Sequence, residues 1–127
     1  MIGIEIDMVV PNCQVAWKTY EHIFDAELIS ITELDVGLNE AVFTIMGTRF
    51  HLLDENPEYH LFAPKEGNPQ SLWINLYVSD IHSTFSKAVA SSCHAIQEIT
   101  ELADMGVMNC IFLDPFGYVW MLHKKTG

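Results

Sequence analysis

The chain has 127 residues, half of them hydrophobic, and six Lys+Arg against seventeen Asp+Glu give a formal net charge of −11. That length predicts one domain burying roughly two thirds of its unfolded surface. A chain this acidic repels phosphate backbones and anionic lipid, which excludes nucleic acid and membrane surfaces as expected partners.

Residues Ile2 to Val10 alternate, with Ile4, Ile6, Met8 and Val10 on one face and Glu5, Asp7 and Val9 on the other. A period of two predicts a strand. Pro11-Asn12 ends it, and Asn12 is placed to cap a helix whose Ala16, Trp17, Tyr20, Ile23 and Phe24 share one face. Strands are predicted over Leu28–Glu33, Ala41–Ile45 and Arg49–Leu53, with a turn near Asp35-Val36-Gly37 and another at Gly47. The stretch from Asp54 to Gln70 carries Pro57, Pro64 and Pro69 and reads as one long structureless connection. Connections of that kind join units or cover sites. Leu72, Ile74, Leu76 and Val78 then alternate with Trp73, Asn75 and Tyr77, again a strand. Asp80 is a candidate cap for a helix with Ile81, Phe85, Ala88 and Val89 on a shared face. Strands follow near His94–Glu98 and Met108–Leu113. Asp114-Pro115-Phe116-Gly117 is a turn signal before a closing strand, Tyr118–His123.

The two halves repeat one another. Setting Val10 on Val78 pairs Asn12 with Asp80 and Trp17 with Phe85. Setting Gly47 on Gly117 pairs Phe50 with Trp120 and Leu52 with Leu122, at an offset only two residues longer. Repetition dictates architecture. The expected fold is α+β: two β-α-β-β-β units, about 1–55 and 71–127, joined by the 54–70 loop into a single domain with a cupped mixed sheet.

In each unit the apolar sheet face is expected beneath the helix, which turns the opposite faces toward a seam between the units. Glu5, Asp7, Arg49 and His51 fall on that face in the first unit; Trp73, Asn75, Tyr77, Val119, Met121 and His123 do so in the second. Aromatics with sparse charges and amides are the make-up of a small-molecule pocket. His51 is the candidate catalytic group: it reads either as a structural partner of Glu5 or as a general base or ligand donor. Arg49 reads as an ion-pair partner of Glu5 or Asp7, or as a clamp for an anionic ligand. Trp73 and Tyr77 read as core or as a stacking wall. Cys13, Cys93 and Cys110 are an odd count without metal spacing, so free buried thiols are expected. No run approaches the ~20 apolar residues of a membrane span, no secretory leader pattern opens the chain, and a cytoplasmic location is expected.

The repeated β-α-β-β-β order, the Val78-Ser79-Asp80-Ile81 step into the second helix, and Asp114-Pro115-Phe116-Gly117-Tyr118-Val119-Trp120 together resemble the vicinal oxygen chelate superfamily. That group holds glyoxalase I, bleomycin-resistance proteins and extradiol dioxygenases. The Asp-Pro-Phe-Gly-x-x-Trp ending and the early Val-Pro step are most similar to its PhnB-like branch. The resemblance implies four metal-ligand positions, here Glu5, His51, Trp73 and Met121. An indole offers no lone pair and a thioether is too soft for zinc, iron or manganese. No metal or other cofactor is therefore expected, unless Asp7, Asn75 or His123 completes a set. The resemblance also implies a homodimer. The expected function is a metal-free, PhnB-like protein of the bleomycin-resistance kind, binding a small molecule at the seam. Its expected ligand set is Glu5, Asp7, Arg49, His51, Trp73, Asn75, Tyr77 and Met121. The alternatives are a metal-dependent lyase or isomerase of the glyoxalase I type and a non-catalytic scaffold whose cavity has filled.

Overall fold

In the computed structural model, which describes residues 2–65, 68 and 70–127, the chain divides into two units, Met1–Pro64 and Lys65–Gly127. The first runs β1 (Ile6–Val10), α1 (Cys13–Phe24), β2 (Glu27–Ile31), β3 (Glu40–Ile45) and β4 (Thr48–Asp54). The second runs β5 (Trp73–Tyr77), α2 (Ile81–Ala90), β6 (His94–Leu102), β7 (Val107–Leu113) and β8 (Val119–Lys125). Each unit has one four-stranded sheet, ordered β1-β4-β3-β2 and β5-β8-β7-β6. In both, the first strand lies parallel to the last and the remaining pairs are antiparallel. The fold is therefore α+β with mixed sheets. The registers repeat as well: Asp7 stands opposite His51 and Asn75 opposite Met121. This is the pairing that the two sequence offsets require.

Helix α1 begins where its backbone donors find acceptors. The Asn12 side chain accepts from the Gln14 and Val15 amides, and the Asp54 carboxylate accepts from Cys13 at 2.7 Å. Three of the four N–H groups that a helix start leaves unpaired are thus satisfied. Cys13, Ala16, Trp17, Tyr20 and Ile23 are buried, facing β3 and β4. Phe43 sits at the centre of that layer, 5.3 Å from the Trp17 ring and stacked on Phe50 at 5.7 Å. Asp54 lies under the helix start, 2% exposed. Its Oδ1 takes the Cys13 amide, and its Oδ2 accepts from both Gly37 and Asn39, at 2.9 and 3.0 Å. Gly37 adopts φ 105°, a conformation glycine reaches without a Cβ clash.

In the second unit Asp80 caps α2 through the Ser83 amide, and Ile81, Phe85 and Ala88 are buried against the sheet. Val89, expected on that face, is 48% exposed. It lies about 80° round from Ile81 at ~100° per residue, on the rim of the stripe. The Asp-Pro-Phe-Gly turn is organised by Asp114. One of its oxygens accepts from Phe116 and Tyr118, and the other from the Trp120 indole at 2.8 Å. Asp114 and Trp120 are both buried. The motif is therefore a hydrogen-bonded plug that closes the core beneath β8.

Four expectations change. The first strand begins at Ile6 and leaves Ile4 88% exposed, because its pairing with β4 starts at Ile6–Phe50. Alternation alone cannot show that no partner lies alongside. Strand β2 ends at Ile31, short of Glu33, with a register shift between Leu28 and Ser30. Strand β6 runs to Leu102 rather than Glu98, with two register shifts against β7. The 54–70 connection is not structureless. Asn56 caps a 3-10 turn, Pro57–Tyr59, and pairs with Leu61 in an isolated bridge. Glu66, Gly67 and Pro69 of that connection lie outside the described residues. No helix among the described residues is long and apolar enough to cross a membrane.

Candidate functional site

Strand β4 alternates in the expected sense. Phe50, Leu52 and Asp54 are buried toward α1, so Arg49 and His51 project from the other sheet face. Parallel pairing sets Asp7 beside His51, and Glu5 immediately precedes β1. The four side chains meet. Arg49 Nε donates to Glu5 Oε2 at 2.6 Å. That hydrogen bond, helped by the charges of His51 and Arg49 and opposed by desolvation, holds the Glu5 carboxyl below the usual carboxylate range. Arg49 thus engages Glu5 rather than Asp7.

His51 is the centre of the group. Its Nδ1 lies 3.3 Å from Glu5 Oε1 and 3.3 Å from Asp7 Oδ1. Its Nε2 lies 3.3 Å from Glu40 Oε2. Glu40 reaches the ring from the neighbouring β3, where Val42 pairs with His51. Nδ1 is buried and has no hydrogen-bond partner among the described residues. An imidazole that donates Nε2–H to Glu40 turns the Nδ1 lone pair toward two carboxylates. Such lone pairs repel unless a proton or another cation stands between them.

The residues fit a divalent cation. One ligand atom each from Glu5, Asp7 and His51 lie within 4.8 Å of one another. An ion with bonds of ~2.1 Å sets neighbouring ligand atoms roughly 3.0–3.4 Å apart, and the Nδ1-to-carboxylate separations are 3.3 Å. Asp7 is the third donor that the pairing of ligand positions at Glu5 and His51 lacked. Glu40, at the outer imidazole nitrogen, occupies the place of a carboxylate that orients a ligating histidine. Nothing in the sequence pointed to Glu40, because strand pairing rather than spacing brings it there.

In the second unit Trp73, Asn75 and Tyr77 alternate outward from β5, with Trp73 and Tyr77 51% and 60% exposed. Asn75 pairs with the half-buried Met121, and Tyr77 pairs with His123. The Tyr77 and His123 rings stack at 5.0 Å, and Lys125 Nζ stands 5.6 Å from the Tyr77 ring centre. Tyr77 and Trp73 are thus exposed rings rather than core. The cysteines are all free and buried. Burial pushes the Cys93 thiol up to about 12 and Cys110 to about 11, so neither is a thiolate at neutral pH.

Known proteins share this architecture. TioX from Micromonospora sp. ML1 superposes with a TM-score of 0.72 at 13% identity, over 98% of this chain and 99% of its own. FosX from Listeria monocytogenes, solved with Mn(II) and sulfate, gives 0.74 at 15% identity, over 99% and 92%. The PhnB protein of Bacillus cereus gives 0.71 at 19% identity, over 95% and 98%. Identities this low speak for the fold and leave the chemistry to the site. A comparison with curated proteins finds no match. Residues 4–122 match the model of one family, and they span both copies of the unit whose order and register recur. The chain belongs to the Glyoxalase/Bleomycin resistance protein/Dioxygenase superfamily.

Proposed function

We propose that this protein binds a small molecule through the sheet faces that carry Glu5, Asp7, Arg49 and His51 in the first unit and Trp73, Asn75, Tyr77 and Met121 in the second. The observation that carries the reading is the buried, unpartnered Nδ1 of His51 between two carboxylates. Three carboxylates surround one imidazole and one guanidinium, so the group has an excess of negative charge and accepts a cation. In the metal-free reading, that cation is the ammonium of a ligand. Such a protein sequesters its ligand in the manner of PhnB-like and bleomycin-resistance relatives. We read it as a cytoplasmic homodimer, the two units forming one domain; the three free thiols suit a reducing compartment.

A second reading is favoured by the three-donor geometry itself: a metal-dependent lyase or isomerase of the glyoxalase I type. Glu5, Asp7 and His51 would hold the ion, Glu40 would orient the imidazole, and Arg49 would steady Glu5. When bound, a divalent ion supplies Lewis-acid polarisation of a substrate oxygen. His51 then serves as a ligand and not as a base.

Native mass spectrometry, elemental analysis and melting with added Mn(II), Ni(II) or Zn(II) separate the readings. Metal at one hundred times its dissociation constant stabilises the native state by about 2.7 kcal/mol, a rise of roughly 8 °C for a chain of this size. The metal-free reading expects substoichiometric metal, no such rise, and a retained organic mass. One ion per chain, lost in His51→Ala, would establish the metal-dependent reading instead. Neither metal nor ligand retained by the unmodified chain would overturn both.

A further inference from the structure

The second unit carries a feature that the first lacks. Of six Lys+Arg in a chain of net charge −11, two are adjacent, Lys124 and Lys125. They close β8, where β5 also ends: the Val78 amide donates to His123 O at 2.8 Å, and the chain then bends at Ser79 into the cap of α2. A concavity of about 530 Å³ opens at this point, lined by Tyr77, Val78, Ser79, Lys124 and Lys125. That volume is within the roughly 300–1,000 Å³ of small-molecule sites. Neighbouring residues on a strand ordinarily face opposite ways. Both lysines line the hollow because it wraps the end of the strand.

Neither ammonium is ion-paired with a carboxylate among the described residues. Lys125 instead stands over the Tyr77 ring, itself stacked on His123. Asp80, the adjacent acid in the chain, spends Oδ1 on the Ser83 amide at the helix cap. Lys124 and Lys125 are the charged groups that line the hollow itself, and exposed charges more than about 8 Å away are largely screened at physiological salt.

We propose that this concavity is a subsite for the oxyanion of a small organic molecule, a carboxylate or a phosphate, whose apolar part lies against Val78 and Tyr77. The proposal rests on the reading of the protein as a small-molecule binder and adds the ligand's chemical class. The two ammonium groups supply point charges for the oxyanion. The Ser79 and Tyr77 hydroxyls supply neutral donors. The cation–π contact holds Lys125 in place before the anion arrives.

Amide NMR titration of the full chain with phenyl phosphate, benzoate and phenol tests it. Saturable shifts at Tyr77, Val78, Ser79, Lys124 and Lys125 are expected with phenyl phosphate or benzoate. The tighter of the two identifies phosphate or carboxylate as the natural group, and phenol binds more weakly than either. K124Q/K125Q is expected to weaken the better anion by about fivefold, from roughly two- to threefold per exposed ion pair. The same spectra report that the variant is folded. Native mass spectrometry of K124Q/K125Q, which keeps the Glu5, Asp7, Arg49 and His51 group intact, reports on the first-unit site independently, so the two readings fail separately. No saturable shifts here at millimolar anion, phenol binding as well as benzoate, or an unweakened K124Q/K125Q would each overturn the proposal.

Discussion

Asp114 and Asp54 are buried side chains whose oxygens each accept from donors, and they show how a carboxyl group is accommodated inside this fold. Asp114 accepts from two backbone amides and the Trp120 indole. Asp114→Ala strands those three donors and is expected to cost about 3 kcal/mol. Trp120→Phe leaves the backbone bonds intact but strips Asp114 Oδ2 of its indole donor, and should lower the urea midpoint through that lost bond as well as lost packing. Asp54 pays desolvation, yet hydrogen bonds from Cys13, Gly37 and Asn39 outweigh it and hold its carboxyl below the usual range. Because the folded pKa lies below the unfolded one, this carboxylate stabilises the fold fully above about pH 4. That contribution is lost as the pH falls through the folded value. Asp54→Asn should therefore be less stable than the parent at pH 7, and the gap should narrow on acidification. A gap that widens toward low pH in denaturant titrations would contradict the assignment.

At the scale of elements, the caps are the places where local sequence and observed structure agree most closely. Asn12 and Asp80 stand at matching points of the two units and both accept helix-start amides. Asn12→Ala and Asp80→Ala are each expected to lose about 1 kcal/mol. In α1 the Asp54 carboxylate still holds the Cys13 amide, so Asn12→Ala should cost no more than Asp80→Ala; thermal unfolding of the two single variants compares them. Strands were legible wherever alternation coincided with a partner. The Ile2–Glu5 stretch failed because periodicity reports a side chain's preference and not the presence of a neighbouring strand. The strand expected near His94–Glu98 runs on to Leu102, because one face of an edge strand meets water at little cost and Glu101 can stand there.

For the whole molecule, the edge strands set the expectation of self-association. Strand β2 ends the first sheet and exposes Leu28 and Ile29, 44% and 51%. An apolar edge of that kind is ordinarily covered by a partner. We expect a homodimer mass by light scattering at micromolar concentration, and a shift toward monomer in Ile29→Lys. A monomer mass for the unmodified chain would sink this prediction.

The sequence by itself determined the order of elements, the duplication, the caps and the α+β class. Each follows from spacing within a dozen or so residues, or from comparing the chain with itself. Parity also placed Glu5 with Asp7, and Arg49 with His51, on the faces turned away from the apolar residues of their two stretches. Only the tertiary structure decided which atoms meet. Strand pairing brought Glu40 to His51 Nε2 and left Nδ1 to Glu5 and Asp7. Asp54 reached the Cys13 amide at the start of α1 across 41 residues of chain. Lys124 and Lys125 joined Ser79 in one hollow because two strands end together. Pairing register and strand ends are set by contacts distant in sequence, and local periodicity carries no record of them.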